Sequence, residues 1–503
     1  MTLLICGLCL LPQTAIAAMG CGGCGGGGMG GGGSGSVIDP PAGAAFKDPP
    51  VMPNLSTVPG IVEVNLEANI SPVSVNGTMA NLMTYNGSYP GPTIYVKRGD
   101  IVKVHFKNSL PYTTAQNILG FANNISNIHT HGWHVSPMEP ADAAHLSIYP
   151  GFGYDYEYDM SLHEPGTLDF YHPHSHGRVA EQYFSGLAGA LVTADETDVL
   201  KNFETHIMVL KDITITSGGV PEPYTSMMQF MNGKEGNLIM INGQVNPVLS
   251  IRPGQVQRWR LVNASNARFY KLSLQGHTLQ AIGTDGGLLD KPYAQTYILL
   301  SPGERVDLLV KGSSTKGTYK FLSLPYSRMG GMTSAQITLL TLSCQGSSMA
   351  QTLPSKINQA AMRLNMDTSM LPKRTLTLSM SMGRGYINGQ DFDVSPYTIM
   401  SDIGTYEVWE IKNQSMMDHP FHQHVNAAQV LSISGGDSRY ASFLTTAPAW
   451  KDVVIVPRMG SIKLLVPIMD YTGMTMFHCH IVEHEDIGMM GMWHIMGDGM
   501  PMP

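Results

Sequence analysis

Charge is scarce in this chain: Lys, Arg, Asp and Glu make up 14% of its 503 residues. Long surface helices need those residues, so a helix-rich fold is disfavoured. No basic block occurs and the net charge is −8, which argues against a nucleic-acid partner. No apolar run reaches about 18 residues, so no transmembrane segment is expected. Cysteine is sparse as well. Cys6, Cys9, Cys21, Cys24, Cys344 and Cys479 are not spaced like a disulfide scaffold.

Glycine (55), proline (32) and methionine (34) are plentiful. With 43% hydrophobic residues, that balance favours many short strands joined by turns. The length allows roughly two to four domains. Extra methionine serves either as soft core filling or as thioether ligands for a soft metal, and composition leaves both readings open.

Residues 1–18 are apolar, too short to span a bilayer, and end in Ala15-Ile16-Ala17-Ala18, so they read as a signal peptide. No Lys or Arg precedes the apolar run, so the start of the chain stays open. Residues 19–54 read as a glycine-rich tether in which Cys21 and Cys24 could pair, bind metal or stay idle.

Beyond the tether one pattern recurs three times. Asn86-Gly87, Asn242-Gly243 and Asn388-Gly389 each precede an apolar strand, a polar turn with Gly and an alternating strand ending in Asn. Alternation of this kind marks half-buried strands. The repeat length fits one β-sandwich, giving an all-β chain of three consecutive Greek-key domains over 55–198, 199–355 and 356–503.

Four short motifs carry the chemistry: His129-Thr130-His131, His174-Ser175-His176, His422-Gln423-His424 and His478-Cys479-His480. In a strand, side chains at i and i+2 share a face, so each pair aims two imidazoles at one point. One such pair is weak evidence; four are hard to obtain by chance. Two lie in the first repeat and two in the third, so those domains must meet around the metal. In the last motif the histidines face one way and Cys479 the other, letting one strand serve two centres. His419, His484 and Met489 complete the set for an electron-transfer copper, a trigonal Cys and two His with a weak axial Met.

The segments HTHG, GTLDFYHPHSHG, HPFHQH and HCHIVEHEDIGMM resemble the copper-binding motifs of three-domain multicopper oxidases, in family order, over nearly all of the chain after residue 55. The resemblance implies cupredoxin-like domains, four copper ions, O₂ as acceptor and a small reducing substrate or metal ion as donor. Type 1 copper then takes His419, Cys479, His484 and axial Met489. Type 2 takes His129 and His422. One type 3 copper takes His131, His174 and His480, the other His176, His424 and His478. His172 and His134 are read as outer groups that orient ligands; His494, in the methionine-rich tail, either touches copper or packs. The resemblance also links Glu485 to proton delivery, and Asp142 is a second candidate by position. Both are expected to stay ionised beside the cluster, or else to orient a histidine.

Two departures stand out. Val425 occupies a position that is usually Gly in the family, followed by Asn426-Ala427. Met416 and Met417 precede Asp418 and His419, so a thioether could hold Cu(I) at the electron entry point, or both could simply pack. The donor is therefore left as Cu(I), Fe(II) or a phenol. A copper-buffering protein is the alternative outside enzymes, and a nitrite reductase the nearest one within them; neither needs this full ligand set. A monomer, periplasmic or secreted, is expected.

Overall fold

The computed structural model describes residues 36–330 and 333–497. The expected leader, Cys21, Cys24 and the final six residues lie outside the described residues. Strands dominate, and the helices among the described residues are short.

Three sandwiches repeat one ladder. Ile61–Val75 runs parallel to Ile101–Asn108, Glu204–Ile213 to Val256–Asn263, and Lys373–Ser381 to Thr405–Asn413. On its other edge each leading strand pairs antiparallel with Thr78–Tyr85, Leu238–Ile241 or Arg384–Ile387. The parallel neighbours require a crossover, which gives the cupredoxin-like Greek key.

The Asn-Gly repeats explain why the ladder recurs. Asn86, Asn242 and Asn388 have φ of 53°, 52° and 52°, and the glycines after them 71°, 74° and 75°. Two successive left-handed residues make a type I′ turn, which Asn-Gly tolerates best. Each Asn side chain then locks its turn to the leading strand. Nδ2 donates to the carbonyl of Asn65, Ile207 or Thr375, and Oδ1 accepts from the N–H of Glu67, Val209 or Thr377, all at 2.7–3.0 Å. The strand-ending Asn108, Asn263 and Asn413 are buried, and each donates to two backbone carbonyls.

The tether differs from expectation. From Val37 to Asp48 it is bound to the second sandwich, where Val37–Ile38 pairs with Gln336–Cys344, and Val51 and Met52 then join the first sandwich at Thr93. The Gly43 and Phe46 N–H groups donate to the Asn246 and Val248 carbonyls, and Asp48 accepts from the Ile207 N–H. The glycine run stops before this stretch; Phe46 packs on the core of the second sandwich, and Pro40 and Pro41 lower the entropy lost on docking.

Arg305, on the middle-sandwich strand Arg305–Lys311, is 1% exposed and joins all three domains. Its Nη1 and Nη2 donate to the two oxygens of Asp452, each at 2.6 Å. Nη2 also reaches Asp169 at 2.9 Å, and Nε the Leu168 carbonyl at 3.0 Å. Removing one partner of such a network leaves buried charge uncompensated. Arg305→Met is expected to lose about 3–5 kcal/mol of stability, measured by chemical denaturation. A change below about 1 kcal/mol, the level of an exposed ion pair, would refute this role.

Candidate metal centre

His419–Gln423 and Gly473–Cys479 are adjacent antiparallel strands of the third sandwich, registered with Phe421 opposite Cys479 and His422 opposite His478. Cys479 therefore faces the domain core, where Met489 is also fully buried and the Met489 carbonyl accepts from the Cys479 N–H at 3.1 Å. The short helix Val482–Asp486 returns His484 to the same point. Cys479 Sγ lies 3.4 Å from His419 Nδ1 and 3.4 Å from His484 Nδ1, and the two nitrogens are 3.2 Å apart. Atoms about 2.0–2.3 Å from one common ion stand roughly that far from each other. A thiolate with two imidazoles suits a soft copper.

On the opposite face of the strand lies a buried cluster of eight histidines. His131, His172 and His480 form one triad, with ring centroids 4.8, 5.5 and 5.8 Å apart. His174, His424 and His478 form a second, at 4.9, 5.0 and 5.3 Å. His129 and His422 face each other at 5.9 Å. His478 Nδ1 bonds the Cys479 carbonyl, so its Nε2 is a bare acceptor, yet it sits 3.2 Å from the Nε2 of both His174 and His424. His129 Nε2, His131 Nδ1, His172 Nε2, His422 Nε2 and both His480 nitrogens are buried without a partner. Facing lone pairs and orphaned nitrogens in one buried space fit metal ions between them.

The expected pairing of His174 with His176 is corrected here. His172 and His174 enter the cluster and His176 does not. The strand Leu168–His172 places His172 opposite His129, and the chain runs on through Pro173 to His174 outside any helix or strand. It then turns at His176, so the i, i+2 rule no longer applies. His176 bonds Asp393 at 2.6 Å and packs between Phe121 and Phe392. Tyr171-His172-Pro173-His174 was an equally good i, i+2 pair, and only the register with His129 selects it.

Burial, then neighbouring imidazoles, holds His422, His424, His478, His131 and His172 well below the ordinary histidine range, and burial holds His174 and His480 at about 3. These seven rings are thus held neutral, with lone pairs free for metal. Three backbone-anchored groups aim the rings. Asp142 Oδ2 accepts from His129 Nδ1 at 2.8 Å. Asp452 Oδ1 lies 3.2 Å from His131 Nε2, and the Asp452 carbonyl 3.0 Å from His422 Nδ1. Burial pushes Asp142 up, but His129 and the Thr130 N–H outweigh it and lower its pKa. Glu485 differs. It lies 3.6 Å from His174 Nε2 and 3.3 Å from His478 Nδ1, and burial, Asp486 and Glu483 push its carboxyl well above the usual range. In the protein alone it is therefore held toward the protonated form, against the expectation that it stays ionised.

Three family models, each described as multicopper oxidase, match residues 67–198, 201–341 and 358–497. The chain belongs to the multicopper oxidase family. The oxidase is 28% identical to a multicopper oxidase of Staphylococcus aureus, over 82% of this chain and 84% of the relative. It is 29% identical to a laccase of Bacillus subtilis, over 81% and 89%, and 28% identical to the cell division protein FtsP of Escherichia coli, over 78% and 79%. Among solved structures, a Campylobacter jejuni multicopper oxidase described as a metallo-oxidase aligns with a TM-score of 0.77 at 26% identity, over 92% of this chain and 98% of that one. The chain is therefore an oxidoreductase that uses copper, O₂ and a reducing substrate. No helix among the described residues is long and apolar enough to cross a membrane.

Beside the mononuclear site opens a cavity of about 820 Å³ lined by Met227, Met228, Met231, Met329, Met380, Met382, Met416 and Met417. Its floor is bonded to both imidazoles of the site. Ser415 Oγ lies 2.7 Å from His419 Nε2, and the Met231 carbonyl 3.2 Å from His484 Nε2. Met416 is exposed in this cavity, whereas Met417 is largely buried, with its sulfur against Arg328. Asp418 is committed elsewhere, accepting from Tyr326 Oη and the Arg458 N–H at 2.7 Å each. The other six methionines were invisible as a group in the sequence because they come from three separate segments.

Val425 has a left-handed backbone, with φ of 66°, and its carbonyl bonds His134 at 2.8 Å. A β-branched residue is strained there. Val425→Gly is expected to raise stability by about 1 kcal/mol, read as a higher melting temperature; a lower one would refute the strain. His172→Ala is expected to lose copper from the histidine cluster and His176→Ala to keep it, both read by metal content. The reverse result would restore the pairing of His174 with His176.

Proposed function

We propose that the oxidase takes its electrons from Cu(I) and holds four coppers. His419, Cys479, His484 and Met489 hold the type 1 ion, and His129 and His422 the type 2 ion. His131, His172 and His480 hold one type 3 ion; His174, His424 and His478 hold the other. Bound copper supplies one-electron acceptance at the first site and four-electron reduction of O₂ to water at the cluster.

The single observation that carries the donor is the methionine-lined cavity beside His419 and His484. Thioethers select Cu(I) over harder ions, and the C. jejuni neighbour described as a metallo-oxidase supports the same reading. Ser415 and the Met231 carbonyl hold the two imidazole edges at the cavity floor, giving short bonded routes for electrons. Cys479 lies between His478 and His480 in the chain, so its backbone links the two centres covalently.

Glu485 holds a proton at its carboxyl beside His174 and His478. Burial draws it toward the protonated form and bound cations toward the ionised form, as a group that takes up and returns protons requires. Asp142 orients His129 through Nδ1. The apolar leader over residues 1–18 supports export to the periplasm or the medium.

The test is oxygen uptake by the copper-loaded enzyme with Cu(I), Fe(II) and a dimethoxyphenol side by side. Met228→Leu combined with Met416→Leu is expected to raise KM for Cu(I) about tenfold, roughly 1.4 kcal/mol of lost binding, and to leave phenol oxidation unchanged. Fast phenol oxidation without added copper, and no effect of the two substitutions on Cu(I), would make the enzyme a laccase instead.

A further inference from the structure

A second set of methionines lies outside that cavity. Strands Tyr397–Asp402, Met490–Met496 and Gly473–Cys479 are neighbours in the third sandwich. Their register puts Met400, His494 and Met474 in one row and Met492 beside Met476 in the next, then Met490 beside His478. Residues two apart in a strand share a face, so these rows and the His478 imidazole lie on the same side of the sheet. Exposure falls along them: Met474 is 48% exposed, Met476 8%, Met490 1% and His478 0%.

The first sandwich covers this face with the loop that also carries Asp142. Ala144 packs on Met476 and Met490, with Met492 alongside, and the Met138 sulfur lies over Gly473, 2.5 Å from where a Cβ would stand. Core filling does not account for the composition. The inward faces of the same strands carry Trp493, Ile495, Phe477 and Ile399, ordinary strand formers. The His494 ring has no hydrogen-bond partner among the described residues.

We propose that this seam is an entry track for Cu(I), binding it at the outer row of Met400, His494 and Met474 and passing it by ligand exchange to His478. It rests on the reading of the histidine cluster as a copper site, and no electron is transferred along it. Successive rows are about 6.6–6.8 Å apart, a span that flexible thioethers on both sides can bridge. Cu(I) stays soft-coordinated throughout.

The experiment is anaerobic reconstitution of the copper-free full chain with Cu(I) presented as its glutathione complex. Filling of the type 1 site is followed by its blue absorption after oxidation, and filling of the cluster by copper content and the type 2 electron paramagnetic resonance signal. Met476→Leu with Met492→Leu is expected to slow cluster filling severalfold, with the type 1 site filling at the parent rate. His494→Gln is expected to slow the same phase, and none of these changes to slow loading with Cu(II). Equal cluster filling in parent and variant, equal slowing of both sites, or equal slowing with Cu(II) would overturn the track while leaving the copper reading intact. Failure of the parent protein to take up copper would overturn both.

Discussion

The guanidinium of Arg305 reaches Asp452 in the third sandwich and Asp169 in the first, from a strand of the second. Asp452 in turn lies against His131 through its carboxylate and against His422 through its carbonyl. The middle domain contributes no imidazole to the cluster, yet it holds the two domains that do. A buried ion pair is stable only when its remaining hydrogen bonds are satisfied. Here Leu168, Gly303 and Asp285 supply the other acceptors. Relative displacement of the outer domains would therefore strand a buried charge.

That rigidity suits an otherwise unfavourable cluster. Eight imidazoles are buried together, and several present bare nitrogens to one another. The surrounding protein offsets this by bonding the outward nitrogen of several rings: Asp142 for His129, the Pro173 carbonyl for His172, the Cys479 carbonyl for His478. The strained left-handed Val425 belongs to the same tight seam, where its carbonyl meets His134 of the first domain. Position there is maintained at the expense of local comfort.

Sulfur is distributed with a matching logic. One set of thioethers lines the cavity over the mononuclear site; another runs along the outer face of the sheet that ends at the cluster. Met489 is buried in the core beside Cys479. A single residue type thus appears in three settings that composition could not separate.

The sequence by itself determined the class of fold and most of the donor set. Asn-Gly turns demand left-handed backbone wherever they fall, so three copies of the pattern meant three copies of the ladder. The alternation at His478-Cys479-His480 likewise dictated one strand between two centres, because strand periodicity is local. What only the tertiary structure decided is what depends on contacts distant in the chain. His172 rather than His176 joins the cluster because His129 stands opposite it in the register. Residues 37–48 of the expected tether dock because an edge strand of the second domain is there to receive them. Six cavity methionines meet at one site although they come from separate segments. In each case the local pattern allowed two outcomes of similar energy, and packing against a remote strand chose between them.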